Sequence, residues 1–231
     1  MTIGIIGAME EEVAILKEMM EGPKETVIAG CRFYEGRISG CDAVLVQSGI
    51  GKVNAAIAAT LLIQLFSPEA VLNTGSAGGI GDGLEVGTVV LSTDVTHHDA
   101  DVTAFGYALG QLPGGPVTYQ SDERLLAVAR EAVEAIGRHA SATGLIASGD
   151  VFMSDPARVF AVKKQFPELI AAEMEAAAVG QVCHAFRVPF VVIRALSDIA
   201  GKESSLTFDE FLPAAAQHSS EVVAQVLSKL S

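Results

Sequence analysis

Apolar residues along this chain switch repeatedly between a period of two and a helical period, and the switching predicts alternating strands and helices. Thr2 to Ile6 is a short, isoleucine-rich run that reads as a buried strand. Gly7-Ala8 breaks it, and Met9, Val13, Leu16 and Met20 then fall at helical spacing up to a stop at Gly22-Pro23. Thr26 to Ala29, Arg32 to Ile38 and Ala43 to Gln47 read as strands punctuated by Gly30, Gly36 and Gly40. Val53 to Phe66 is an alanine-rich helix ended by Ser67-Pro68. Ala70 to Asn73 is a short strand that opens into Thr74-Gly75-Ser76-Ala77-Gly78-Gly79, and Gly87 to Thr96 is a longer one. His97 to Tyr119 carries glycine, proline and aromatics without a period, which marks a functional loop.

The second half repeats the alternation. Asp122 to Ile136 is a helix capped by Ser121 or Asp122 and closed by Gly137. Ser141 to Ser148 is a strand, Pro156 to Phe166 a helix, Leu169 to Glu173 a strand and Ala176 to Phe186 a helix. Pro189 to Leu196 is a strand ending at Ser197-Asp198, and Pro213 opens an amphipathic helix running to about Leu230. With no linker, repeat or low-complexity tract, residues 1–231 are expected to form one α/β domain around a largely parallel sheet.

One stretch resists a purely structural reading. Ile170-Ala171-Ala172-Glu173-Met174-Glu175-Ala176-Ala177-Ala178 places two carboxylates in an apolar run with no base beside them. Burial of an unpaired carboxylate costs several kcal/mol, so the pair serves either a hydrogen-bonding ligand such as a sugar or the solvated first turn of a helix.

Composition narrows the partners. Half of the residues are hydrophobic, yet no apolar run approaches the roughly 20 residues of a membrane span. The start lacks a basic leader and runs into Glu10-Glu11-Glu12, unlike a signal peptide. Cys31, Cys41 and Cys183 are odd in number and scattered, giving neither a disulfide framework nor a zinc spacing and pointing to a reducing cytoplasm. A formal charge of −13 disfavours nucleic acid and anionic membranes and leaves a small-molecule ligand without large negative charge.

In a sheet of this kind, ligands gather at the carboxyl ends of the strands. Those ends carry Glu10 to Glu12, Ser48 to Gly51, Thr74 to Gly79, Gly149 to Ser154, Glu173 to Glu175, and Arg194 with Ser197-Asp198. Gly79-Ile80-Gly81-Asp82-Gly83 precedes a strand-like run, so it is no dinucleotide fingerprint, and Gly51-Lys52 lacks the glycine and the hydroxyl of a Walker loop. Ser76 lacks the spacing of a nucleophile elbow. The Gly75 to Gly79 backbone therefore reads as a surface lying flat against a planar or sugar group. His97-His98-Asp99-Ala100-Asp101 is a loop rather than a metal site, because adjacent ligands rarely converge. Met9, Phe105, Tyr107, Phe152, Met153, Met174 and Phe208 are core residues or the lining of an apolar pocket.

Three carboxylates from distant strand ends remain: Glu12, Glu175 and Asp198. Cleavage of a glycosidic bond needs one group to activate water and one to protonate the leaving group. Glu10 and Glu11 are expected to raise the basicity of Glu12, and Ser197 to hold Asp198 as the acid.

Six segments taken together closely resemble the bacterial 5'-methylthioadenosine/S-adenosylhomocysteine nucleosidases. They are Ile5 to Glu12, Asn73 to Gly79, Asp99 to Tyr107, Ser148 to Phe152, Glu173 to Ala178 and Arg194 to Asp198. The resemblance implies a three-layer α/β/α, nucleoside phosphorylase-like fold with a central mixed, largely parallel sheet. It also implies a cytoplasmic homodimer without metal or cofactor, acting in methionine salvage and in recycling of S-adenosylmethionine by-products. The expected reaction is hydrolysis of adenine nucleosides, 5'-deoxyadenosine included, to adenine and a ribose product. By matching positions, Glu12 activates water, Asp198 protonates N7, and Glu175 holds the ribose hydroxyls. Ser76 and Arg194 place the water and the sugar, and Ser197 and Ala77 belong to the substrate site. Gly78, Phe152 and Met153 contact adenine, and Met174 lies under the ribose. Met9, Ile50 and Phe208 line the 5' pocket, with Val102, Phe105 and Pro113 supplied across the dimer. Met153 stands where the family pattern leads us to expect isoleucine, a change of similar volume. Glu173 receives no ligand contact and stays with the solvated-helix reading. A nucleoside phosphorylase and a non-catalytic adenine-nucleoside binding protein are the competing functions.

Overall fold

A computed structural model describes residues 1–202 and 204–231, with the side chains of 203–206 outside the description. The first half runs β1 (Thr2–Gly7), α1 (Glu10–Met19), β2 (Glu21–Ile28), β3 (Cys31–Ile38), β4 (Cys41–Gln47), α2 (Lys52–Phe66) and β5 (Ala70–Gly79). The second half runs β6 (Val89–His97), β7 (Tyr119–Gln120), α3 (Glu123–Ile136), β8 (Ser141–Ser148), α4 (Pro156–Gln165), β9 (Leu169–Glu173), α5 (Ala176–Phe186), β10 (Phe190–Ile199) and α6 (Ser204–Leu230). A short 3-10 turn, Thr103–Phe105, lies in the long loop after β6.

The strands form one mixed sheet in the order β10-β6-β8-β9-β5-β1-β4-β3-β2. Because β10 also pairs with β5, the first five strands close on themselves, and β1, β4, β3 and β2 extend from β5 as an open wing. β4, β1, β5 and β10 are parallel neighbours, whereas β2, β3 and β4 form an antiparallel meander. Period-two alternation decides which layer each side chain meets. Leu72, Val191 and Ile193 pack with Val13 and Leu16 of α1, Leu126 of α3 and Val223 of α6. Their neighbours Val71 and Val192 pack on the other face with Ala55 and Leu62 of α2 and Val179 of α5. Strands covered on both faces read as continuous apolar runs, as β1 and β10 do. The helices flank the sheet on two sides, which is the three-layer α/β/α arrangement.

Four boundaries differ from the sequence expectation. β5 and β10 do not stop at Asn73 and Leu196 but run on to Gly79 and Ile199, because they pair with each other through Asp198↔Gly78 and Ile199↔Gly79. The last helix begins at Ser204, with Pro213 inside it, not at Pro213. A proline inside a helix removes one N–H bond. Here Leu212, Ala215 and Ala216 are buried on both sides of it, so packing carries the helix through. Gly22 and Pro23 lie within β2, an exposed edge strand whose register shifts between Glu21 and Lys24, a place where proline is tolerated. Among the described residues no helix is long and apolar enough to cross a membrane.

The layer contact of α5 is tight at Gly180, where an added Cβ would lie 2.7 Å from Val95 Cγ2 and 2.9 Å from Phe190 Cζ. Alanine gains roughly 1 kcal/mol of helix propensity over glycine, whereas overpacking a core costs about 1–3 kcal/mol. Gly180→Ala is expected to lower the urea unfolding midpoint. A raised midpoint would mean that Val95 and Phe190 yield.

Candidate active site

The carboxyl ends of β1, β5, β9 and β10 meet at a cavity of about 280 Å³. Glu12 reaches it from the first turn of α1, folding back so that its Oε2 accepts the N–H groups of Ala8 (2.9 Å) and Met9 (3.1 Å). Its Oε1 accepts both the N–H and the Oγ–H of Ser76, each at 2.9 Å. Glu12 is buried while Glu10 and Glu11 are exposed, so amide and hydroxyl donors surround it in place of the acidic neighbours expected to set its basicity. Gly75 makes room for this carboxylate: its φ is +143°, and a Cβ there would lie 2.5 Å from Glu12 Oε1. The glycine serves the carboxylate, not only the ligand plane expected for the Gly75 to Gly79 loop.

Asp198 comes from the far end of β10. The β10–β5 register steps from Leu196↔Ala77 to Asp198↔Gly78, leaving Ser197 as the extra residue of a bulge. Such bulges re-aim side chains. Both Ser197 and Asp198 line the cavity. Burial pushes the Asp198 carboxyl up to about 6, and the Ser197 hydroxyl, donating at 3.0 Å, pulls the other way. Desolvation is what favours the protonated acid; the expected holding role of Ser197 is reversed in sign.

Arg194, 1% exposed, sits between the two carboxylates of β9 and α5. It donates to the Ser76 carbonyl (2.8 Å) and to Asn73 Oδ1 (3.0 Å), and its Nη2 lies 2.5 Å from Glu173 and 3.2 Å from Glu175. Glu175 also accepts the Gly51 N–H at 2.8 Å, and burial pushes its carboxyl up, to about 7, against the pull of Arg194. Glu173 is not the solvated helix-start charge expected. It is buried, takes the Ser148 hydroxyl and the N–H groups of Glu175 and Ala176 (both 2.9 Å), and faces Arg194.

Met9, Ile50, Ala77, Gly78, Phe152, Met153, Met174 and Phe208 supply the remaining expected lining of the same cavity. Phe152 and Phe208 meet edge to face, with ring centroids 5.6 Å apart. An added Cβ on Gly78 would stand 3.3 Å from Asp198 Oδ2, so the backbone there leaves the acid open. Val102, Phe105, Tyr107 and Pro113 lie outside the cavity, and Phe105 is 82% exposed. Ala8, Val151, Ala172 and Glu173 also line it, and Asn73 anchors Arg194; the sequence reading assigned none of these five a substrate contact. Glu173 could have been found from its position closing a buried strand pattern.

The His97 to Asp101 run is structural. His97 Nε2 pairs with Gln181, and Asp99 takes the Lys52 ammonium (2.6 Å) and the Asp150 N–H (3.0 Å). Among the described residues no three His, Cys, Asp or Glu side chains converge as metal ligands would.

The fold and the site define a member of a class. A family model described as the phosphorylase superfamily matches residues 2–228, and the chain belongs to it. The 5'-methylthioadenosine/S-adenosylhomocysteine nucleosidase of Anoxybacillus flavithermus is 58% identical over 231 residues, all of both chains. The enzyme of that name from Neisseria meningitidis, solved with methylthio-immucillin-A, superposes with a TM-score of 0.97 at 48% identity over 99% of each chain. The Colwellia psychrerythraea nucleosidase, solved with adenine, gives 0.97 at 49% identity, covering 100% of this chain and 96% of that one. Within the superfamily, this chain belongs to the 5'-methylthioadenosine/S-adenosylhomocysteine nucleosidase family.

The shifted Asp198 has a cost in stability. Near pH 3 and below the carboxyl is largely protonated folded or unfolded. As pH rises to about 6 the unfolded chain ionises first, and the folded state loses stability. The loss is complete above that and worth up to ~3 kcal/mol. Asp198→Asn is expected to raise Tm by several degrees at pH 7.5 and to raise it far less near pH 3. An equal shift at both pH values would detach the effect from ionisation.

Proposed function

We propose that this chain hydrolyses the N-glycosidic bond of 5'-methylthioadenosine and S-adenosylhomocysteine, and of 5'-deoxyadenosine, releasing adenine. Water attacks C1' and loses its proton to Glu12, the C1'–N9 bond breaks with its electron pair passing to the base, and Asp198 protonates N7. The transition state is oxocarbenium-like, and Glu175 holds the ribose hydroxyls over Met174. Ser76 and Arg194 place the water and the sugar, and Gly78, Phe152 and Met153 pack the base.

The observation that carries hydrolysis over phosphorolysis is the state of Arg194. Among the described residues lining the cavity it is the one cation, and Glu173 and Glu175 already neutralise it. Phosphate would enter without a free positive partner and face Glu12 as well, whereas water meets no such barrier. The buried Glu12–Ser76 constellation also supports catalysis over mere binding, for which an adenine nucleoside would need neither Glu12 nor Asp198.

The reading places the enzyme in the cytoplasm, in methionine salvage, as one 231-residue domain that works as a homodimer. Val53 (70% exposed), Ile57 and Leu65 run along one side of α2, and Ile50 at the cavity rim is half exposed. A second copy would cover that stripe and bring its Val102, Phe105 and Pro113 to the 5' end of the site. Ile57→Glu is expected to shift the protein from dimer to monomer in gel filtration and to lower turnover. A fully active wild-type monomer at micromolar concentration would remove the dimer from this reading.

Adenine release from 5'-methylthioadenosine in phosphate-free buffer tests the reaction, and a strict phosphate requirement would make the chain a phosphorylase. Glu12→Gln and Asp198→Asn are each expected to cut turnover by at least ~100-fold while leaving nucleoside binding measurable. With Asp198 as the acid, kcat/KM should fall as pH rises through about 6.

A further inference from the structure

Glu173 makes more contacts than a strand-end residue needs, and they converge on the group that would hold the sugar. Its carboxylate is fixed by the Ser148 hydroxyl and by two amides at the start of α5, Glu175 N–H and Ala176 N–H at 2.9 Å each. From that fixed position it draws Arg194 toward itself: the guanidinium Nη2 stands 2.5 Å from Glu173 but 3.2 Å from Glu175. The asymmetry matters because one guanidinium faces two carboxylates. With the Gly51 N–H already on Oε1, a guanidinium paired fork to fork with Glu175 would bring the occupied lone-pair sites of its carboxylate to about three of four and leave a diol one acceptor instead of two. Held by Glu173 instead, Arg194 touches Glu175 at a single oxygen, Oε2, while Oε1 takes the Gly51 N–H.

We propose that Glu173 is a positioning residue for ribose recognition: it holds Arg194 off Glu175, so that Glu175 keeps acceptor capacity for the 2' and 3' hydroxyls. The proposal rests on the nucleosidase reading. Glu173 itself needs no contact with the nucleoside. Its effect passes through Arg194 and through the α5 amides that fix the backbone of Glu175.

The consequence is specific to the sugar hydroxyls. A residue that merely supports the fold would affect all nucleosides alike, whereas loss of the Glu173 charge should penalise only substrates that donate hydroxyls to Glu175. The test compares kcat/KM for 5'-methylthioadenosine with that for its 2',3'-dideoxy analogue, in wild type, Glu173→Gln and Glu173→Asp. The ratio between variants cancels the intrinsic reactivity of the two glycosidic bonds. Glu173→Gln keeps the shape and loses the charge. Glu173→Asp keeps a carboxylate suited to the α5 amides but falls short of Arg194, and so serves if the glutamine variant fails to fold.

In either variant the preference for the ribonucleoside is expected to fall at least ~10-fold, chiefly through KM, the size expected for losing a hydrogen bond to a charged acceptor. Equal losses on both substrates, or an unchanged ratio, would overturn the role of Glu173. Failure of the wild type to release adenine from either nucleoside would instead overturn the nucleosidase reading on which it depends.

Discussion

A guanidinium almost without solvent contact lies at the centre of this molecule. Transferring a lone charge from water into protein costs several kcal/mol even after relaxation, so Arg194 is tolerable only with its partners. Those partners come from separate parts of the chain: Asn73 and Ser76 on β5, Glu173 ending β9, and Glu175 starting α5. Arg194 itself belongs to β10, so one side chain ties three strands and a helix together beside the cavity. The pairing is also reciprocal. Without Arg194 the two carboxylates would stand as like charges in the same buried space, with no cation to offset their repulsion. Stability and the proposed recognition of the sugar therefore share one electrostatic knot.

The two remaining acids are held in opposite surroundings by ordinary backbone devices. Glu12 is a first-turn residue whose carboxylate folds back on four donors, and Gly75 vacates the space it occupies. Asp198 is delivered by a bulge and buried, and burial lifts its carboxyl toward neutrality against the opposing pull of the Ser197 hydroxyl. Two carboxyl groups with divergent environments are the usual means of obtaining an acid and a base in one site. The divergence here arises from where the strands end, not from unusual residues.

This explains what was legible in the sequence and what was not. Strand ends that break an apolar run with glycine and unpaired polar groups are local signals, and they locate Glu12, Ser76, Gly78, Glu175 and Asp198 without any coordinates. Element boundaries failed where pairing overrides local chemistry: β5 runs through its glycines because β10 accompanies it, and α6 runs through Pro213 because its flanks are buried. The apolar run ending at Glu173 marks a carboxylate in need of a partner, but that partner, Arg194, lies 21 positions away on another strand, where no local pattern names it. The sign of the Ser197 effect was misread for a similar reason. Only a folded chain reveals that burial, not the hydroxyl, dominates at Asp198.

The charge count at the cavity then bears on chemistry. Glu12, Glu173 and Glu175 face one buried cation, and the surplus is negative before any ligand arrives. At an effective dielectric constant of 20, two like charges 4 Å apart repel by about 4 kcal/mol, nearly a thousandfold in binding. A phosphate anion would meet that repulsion with no free cation to offset it, while a neutral nucleoside and a water molecule would not. The same surplus suits a transition state in which positive charge builds on the ribose ring. An arrangement that looks unfavourable as a set of buried acids is therefore matched to the charge that develops during hydrolysis, and Arg194, by neutralising only part of the surplus, keeps the site foldable without cancelling the field.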